Sequence, residues 1–202
     1  MTRRLLAMAF ALSLLNGCTK METTDFAGAE PRFILEDYFS GKTRAWGLFE
    51  DRFGTVRRQF MVDIDGTWDG RELVLDERFV YSDGETDRRV WHIRKTGDHR
   101  YEGRADDVIG VAQGTAHGNA LNWRYDMDLK IAGHDVRVHF NDWMFLQSSD
   151  VVINRARVSK FGIELGEVTI VFMPLRDSET MQPATQVSES PAGDGSMPAL
   201  SR

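Results

Sequence analysis

Leu121-Asn122-Trp123-Arg124-Tyr125-Asp126-Met127-Asp128-Leu129-Lys130-Ile131 puts an apolar side chain on every second residue and a polar one between. That alternation is a strand with one face buried and one in water. After Ala132-Gly133-His134 the chain returns through Val136, Val138 and Phe140, and the phase then meets Asp142 before Met144 and Leu146 resume it. The pair predicts a long antiparallel hairpin with a carboxylate on its core face.

Working outward, the same chemistry recurs along the chain. Apolar, aromatic and branched runs are separated by turn residues at Phe53-Gly54, Asp69-Gly70, Asp83-Gly84, Thr96-Gly97-Asp98, Gly118-Asn119 and Ser148-Ser149-Asp150. The spacing predicts ten strands, at 44–51, 55–66, 71–81, 87–95, 99–106, 109–116, 120–131, 135–147, 150–159 and 163–173. Phe33 to Phe39 reads as a short helical plug stopped by Ser40-Gly41. No proline interrupts the stretch between Arg32 and Met173, as an unbroken hydrogen-bonded ladder requires. The fold expected is all-β, an antiparallel up-and-down barrel of about eight to ten strands with a short N-terminal helix. Neighbour-to-neighbour hairpins favour this over a sandwich, which is the alternative.

The two ends differ from this body. Thr2-Arg3-Arg4, the apolar run from Leu5 to Leu15 and Asn16-Gly17 predict an export signal over 1–17, too short to span a bilayer. The single cysteine, Cys18, follows at once. Leu15-Asn16-Gly17-Cys18 resembles a bacterial lipobox, with Asn16 departing from the usual residue at its place. The resemblance implies acylation of Cys18, and several chains on one residue would make attachment permanent where one would be marginal. Thr19 after the cysteine resembles the pattern sorted to the outer membrane. The expectation is an outer-membrane lipid anchor on the periplasmic face, a tether over 18–31, a single barrel domain over 32–175 and a disordered tail over 176–202. That tail holds three of the five prolines.

Charge narrows the partners. The formal net charge of -6 becomes -8 without Arg3 and Arg4, which gives no electrostatic case for nucleic acid or an anionic membrane surface. His92, His99, His117, His134 and His139 lack metal-ligand spacing, and no nucleophile elbow, phosphate loop or dinucleotide fingerprint occurs. Neither a metal nor a cofactor is expected.

The candidate site is built on polar residues in core phase. Glu77 falls among Leu73, Leu75, Phe79 and Tyr81, as Asp142 falls between Phe140 and Met144. A carboxylate buried without a partner costs several kcal/mol, about enough to force its protonation. Countercharges on offer are Arg88, Arg89, Arg155, Arg157 and Lys160, with Asn154 as an amide. The bland reading is a structural salt bridge or a strand bulge. The functional reading is the polar end of a ligand cavity, with Trp46, Phe49, Tyr81, Trp91, Trp123, Tyr125 and Met144 as apolar lining beside Glu77, Asp142, Asn154 and Arg155. Asp106-Asp107 reads as a solvated loop. Of Arg57-Arg58 and Arg88-Arg89, one member each is a candidate for the inside.

Four segments, Ala45-Trp46-Gly47-Leu48-Phe49-Glu50-Asp51, Phe79-Val80-Tyr81-Ser82-Asp83-Gly84-Glu85, Asn141-Asp142-Trp143-Met144 and Ser159-Lys160-Phe161-Gly162, together resemble a bacterial lipoprotein family, the domain-of-unknown-function family 3833. The resemblance covers about 31–175 and implies no catalytic residue. Its look is lipocalin-like in architecture only, because Gly66-Thr67-Trp68 stands at the end of the second predicted strand and not at the first. Three functions compete: a barrel that binds a lipid or other apolar small molecule, a scaffolding envelope lipoprotein with a solid core, and an acid/base enzyme working through Glu77 or Asp142.

Overall fold

In the computed structural model, residues 20–131, 134–148 and 150–175 are described. Ten strands run β1 (Gly41–Asp51), β2 (Val56–Trp68), β3 (Glu72–Tyr81), β4 (Thr86–Gly97), β5 (Arg100–Arg104), β6 (Val108–His117), β7 (Ala120–Ile131), β8 (His134–Leu146), β9 (Val152–Lys160) and β10 (Ile163–Pro174). Each pairs antiparallel with its sequence neighbour, and β1 closes on β10 with Thr43 opposite Pro174 and Asp51 opposite Gly166. The lipocalin-like up-and-down barrel expected from the hairpin spacing is therefore the fold. Closure pairs the edge strands and leaves no open ladder.

One end is sealed by the helix α1 (Leu35–Phe39), shorter by two residues than the predicted plug. Leu35 and Phe39 are 1% and 3% exposed, and they meet the inward side chains Ile64, Leu73, Leu75, Ile93 and Leu121, none above 5%. The plug sits directly on β2, because an added Cβ at Gly66 would lie 1.6 Å from the Phe39 carbonyl oxygen. Polar contacts fix its rotation. Lys95 Nζ donates to Glu36 Oε1 at 2.8 Å, and the Tyr101 hydroxyl donates to Oε2 at 2.9 Å. Burial pushes the Glu36 carboxyl up, but these partners outweigh it and hold the group below its ordinary value.

The segment read as part of a tether is not free throughout. Thr23–Phe26 forms a turn of 3-10 helix, its start closed by a reciprocal Glu22–Asp25 capping box. Phe26 lies 5.4 Å from Phe145 and 6.1 Å from Trp143, ring centre to ring centre. Those aromatics sit on the outer face of β8, so this turn covers an apolar patch that alternation places outside the barrel. The leader, Cys18 and the tail lie outside the described residues.

Candidate functional site

Alternation sends Glu77, Phe79 and Tyr81 of β3, Arg89 and Trp91 of β4, Trp123, Tyr125 and Met127 of β7, and Phe140 and Asp142 of β8 into the interior from mid-barrel, where Trp91 and Trp123 stand level with Leu75 and Tyr101, toward the end away from α1. Glu77 stands directly opposite Arg89 on the neighbouring strand, and Trp123 directly opposite Asp142. The Arg89 guanidinium reaches Glu77 only loosely, at 3.8 Å. Its close partner is Asp107, with Nη2 to Oδ2 at 2.7 Å and Nε to the same carboxylate at 2.9 and 3.1 Å.

Asp107 can do this because β5 has only five residues, so the loop 105–107 folds down where a longer strand would have continued. The Asp107 carbonyl also accepts from the Asp128 amide at 3.0 Å, which pins the loop to β7. Its reading as a solvated loop acid is thus corrected: the local Asp-Asp pattern is that of a turn, and only barrel closure brings Arg89 against it. Within both double-arginine pairs the phase divides the work. Arg88 bonds Asp76 at 2.8 Å outside, while Arg89 turns in. Arg57 bonds Asp51 at 2.6 Å at the rim, while Arg58 stacks 3.5 Å over the Tyr81 ring and is held by Asp83 and Glu85.

Across the interior from Glu77, Asp142 accepts from the Tyr125 hydroxyl at 3.0 Å through Oδ2. Its Oδ1 is buried and has no hydrogen-bond partner. Burial pushes the Asp142 carboxyl up to about 7, against the opposing pull of Tyr125 and Arg89. Burial likewise raises Glu77 to about 7, where Arg89 pulls it down and Asp107 and Asp142 add repulsion. Tyr125 is raised well above its ordinary value by burial and by the Asp142 charge. Three acids thus share this half with Arg89.

Aromatic rings surround the cluster. Tyr125 stacks on Phe140 at 5.1 Å and meets Trp91 edge-on at 5.5 Å; Trp91 stacks on Trp123 at 6.4 Å. Phe79 lies between Tyr81, stacked at 6.0 Å, and the Arg89 guanidinium at 5.3 Å from its ring. Large rings fit because their cross-strand partners are glycines: a Cβ on Gly114 would be 2.9 Å from Trp123, and one on Gly47 2.3 Å from Phe60. Phe49, Phe60, Phe79, Trp91 and Tyr125 keep part of their surface accessible although they point inward.

Of the sequence-predicted residues, Phe49, Glu77, Tyr81, Trp91, Trp123, Tyr125 and Asp142 share this half. Met144 is buried deeper, at 6% exposure, and Asn154, 3% exposed, donates to the Trp143 carbonyl at 3.4 Å. Two readings are corrected. Trp46 is 45% exposed on the outside, because the inward positions of β1 are Thr43, Ala45, Gly47 and Phe49. Arg155 is outside as well, bonded to Glu167 at 2.7 Å, because β9 turns Val152, Asn154, Ala156 and Val158 inward. The site residues missed were Asp107 and Phe140; only Phe140 carried a signal, its place in the alternating run. Among the described residues no group of three His, Cys, Asp or Glu side chains could hold a metal ion.

The fold is similar to that of the S-type phycobiliprotein lyase CPES from Guillardia theta, with a TM-score of 0.50 and 9% sequence identity over 78% of this chain and 94% of that one. No curated protein matches the chain. The family model described as "Protein of unknown function (DUF3833)" matches residues 12–174, which include all ten strands of the barrel, and the chain belongs to that family.

Proposed function

We propose that the protein is a lipoprotein of the outer membrane, anchored on the periplasmic face through acylated Cys18, whose barrel binds a lipid or other apolar small molecule carrying a hydrogen-bond donor. The observation that carries the binding reading is Asp142 Oδ1, buried without a partner among inward aromatic rings that are partly accessible. A buried carboxylate oxygen left unpaired costs on the order of 1–3 kcal/mol or more, and a donor on a bound molecule would remove that cost. The aromatic faces supply the apolar remainder of such a site. The neighbour titled a phycobiliprotein lyase is compatible with a barrel of this kind serving a small molecule. The anchor and location rest on the Leu15 to Thr19 pattern alone.

The test is native mass spectrometry and solvent extraction of the protein purified from its own envelope. A co-purifying small molecule, depleted at least about tenfold in a folded Asp142→Asn variant, is the expected result. An empty barrel in both proteins would leave the scaffolding reading in its place. For the anchor, Cys18→Ser should move the protein from the membrane fraction to the soluble fraction. A second reading, acid/base catalysis, draws on two carboxyls held near 7 on opposite walls of one interior. Glu77→Gln and Asp142→Asn variants that retain the ligand but abolish its conversion would favour it.

A further inference from the structure

At the end of the barrel opposite α1 the hairpin turns differ in kind. The β3–β4 turn carries Asp83 and Glu85, and the β5–β6 loop carries Asp106 and Asp107. The β1–β2 and β9–β10 turns instead present Phe53, 78% exposed, and Phe161, 93% exposed, with Ile163 at 59% and Val56 at 44% beside them. These two turns are neighbours, since β1 pairs with β10 and the Arg52 amide donates to the Leu165 carbonyl at 2.9 Å. Each phenylalanine has a cation next to its ring: Arg52 at 4.8 Å from Phe53, and Lys160 at 5.5 Å from Phe161.

The presentation is built. Phe161 has φ of 51° and is followed by Gly162 at 78°, a pair of left-handed residues suited to a tight hairpin. Glycine, asparagine or aspartate is the ordinary choice at the first position, and a bulky ring there is a true outlier. Phe53 is held by Asp51, whose Oδ1 accepts from the Phe53 and Thr55 amides at 2.9 and 3.1 Å while Arg57 holds its Oδ2. Two large apolar side chains are thus fixed pointing outward, one at a conformational cost, where neither contributes to the core.

We propose that this side of the rim docks the barrel's mouth onto a lipid surface, Phe53 and Phe161 entering the acyl region while Arg52 and Lys160 meet headgroup phosphates. The pattern of apolar tips with cations beside them matches the layering of an interface. Four side chains are too few for a stable protein partner, which covers about 20–30 residues a side. The rim's acids are largely neutralised within the chain, Asp51 by Arg57, Asp83 and Glu85 by Arg58 and Asp107 by Arg89, so that Glu164, exposed beside Ile163, is the acid such a surface has to accommodate. Docking sets the mouth, and the accessible rings behind it, against the phase from which an apolar ligand would come. The inference stands on the rim and not on the Asp142 site.

The test uses the full chain with Cys18→Ser, free of any acyl group, and phosphatidylethanolamine vesicles containing a minor share of phosphatidylglycerol. A bimane probe on Phe161→Cys should shift to the blue and be quenched by brominated acyl chains, while the same probe on Asp83→Cys stays in water. In the unlabelled chain, Phe53→Ser with Phe161→Ser should lower vesicle partitioning by about tenfold or more. Both residues are exposed, so an unchanged near-ultraviolet dichroism spectrum confirms folding. Probes that behave alike at 161 and 83, or equal partitioning of parent and double variant, overturn the proposal. Lipid-free self-association that the double variant abolishes also overturns it, in favour of a second copy as the occupant.

Discussion

The half of the barrel around α1 and the half toward the mouth share the same ten strands and spend them differently. Around the plug, inward residues are aliphatic and closed: Leu73, Leu121 and Val152 are 1% exposed or less, and the buried acid Glu36 is matched by both Lys95 and Tyr101. Toward the mouth, buried Met127 and Val138 stand among aromatic rings of which Phe49, Phe60, Phe79, Trp91 and Tyr125 stay partly accessible, and the acids outnumber their partners, with Asp142 Oδ1 unmatched. The difference teaches that the plugged half supplies the stability that the mouth half gives up. Unsatisfied buried polar groups and strained positions persist only where surrounding structure over-determines them.

The most severe way to break that division is Arg89→Met. It leaves Asp107 and Glu77 without their shared cation, and loss of one partner of a buried ion pair costs about 3–5 kcal/mol. Urea unfolding should show this, and adding Asp107→Asn should recover part of the loss through the coupling that neighbours display. Next comes a matched pair of truncations. Leu73→Ala, in the closed half, should cost about 2–5 kcal/mol, whereas Leu129→Ala, partly exposed toward the mouth, should cost roughly half as much. Equal losses would mean that the two halves are packed alike.

A titration sharpens the comparison further. Folded Glu77 and Asp142 titrate at about 7 against roughly 4 for the unfolded groups, so between about pH 4 and 7 the folded chain binds protons the unfolded chain has released. Stability therefore falls as pH rises through that window, by on the order of 2 kcal/mol per group or more, and stays low above it. Urea midpoints at pH 5 and pH 8 should differ in that sense, and Asp142→Asn should flatten the slope. The smallest effect expected is at the rim: Phe161→Asn relieves the left-handed position and should raise stability by about 1 kcal/mol while weakening vesicle binding. A melting scan beside a co-sedimentation assay reads both.

The comparison also separates what alternation reveals from what it hides. Period-two patterning carries facing, so the hairpin of β7 and β8, the strand limits and the inward phase of Glu77 and Asp142 could be read from the residues themselves. It fails where the inward side chains are small. Ala45 and Gly47 mark the inner face of β1 only faintly, and Trp46, the largest residue between them, draws attention to the wrong side. Asp107 was hidden for another reason: its partner lies 18 residues away on another strand, and a five-residue β5 is what lets the two meet. Phe53 and Phe161 read as turn residues because they are turn residues; their exposure is a property of the assembled rim.

Pairing of β1 with β10 has a kinetic side as well. Thr43 meets Ile64 on β2, but its partner on the other side is Pro174, so the contact that seals the cylinder joins the two most distant parts of the sheet. Chains dominated by such remote pairings pass their folding barrier slowly, because loop-closure entropy is lost before the contact compensates for it. Each hairpin can form while its successor is still being made, but the cylinder cannot close before the last strand arrives. Until then β1, paired only with β2, keeps one open edge to solvent.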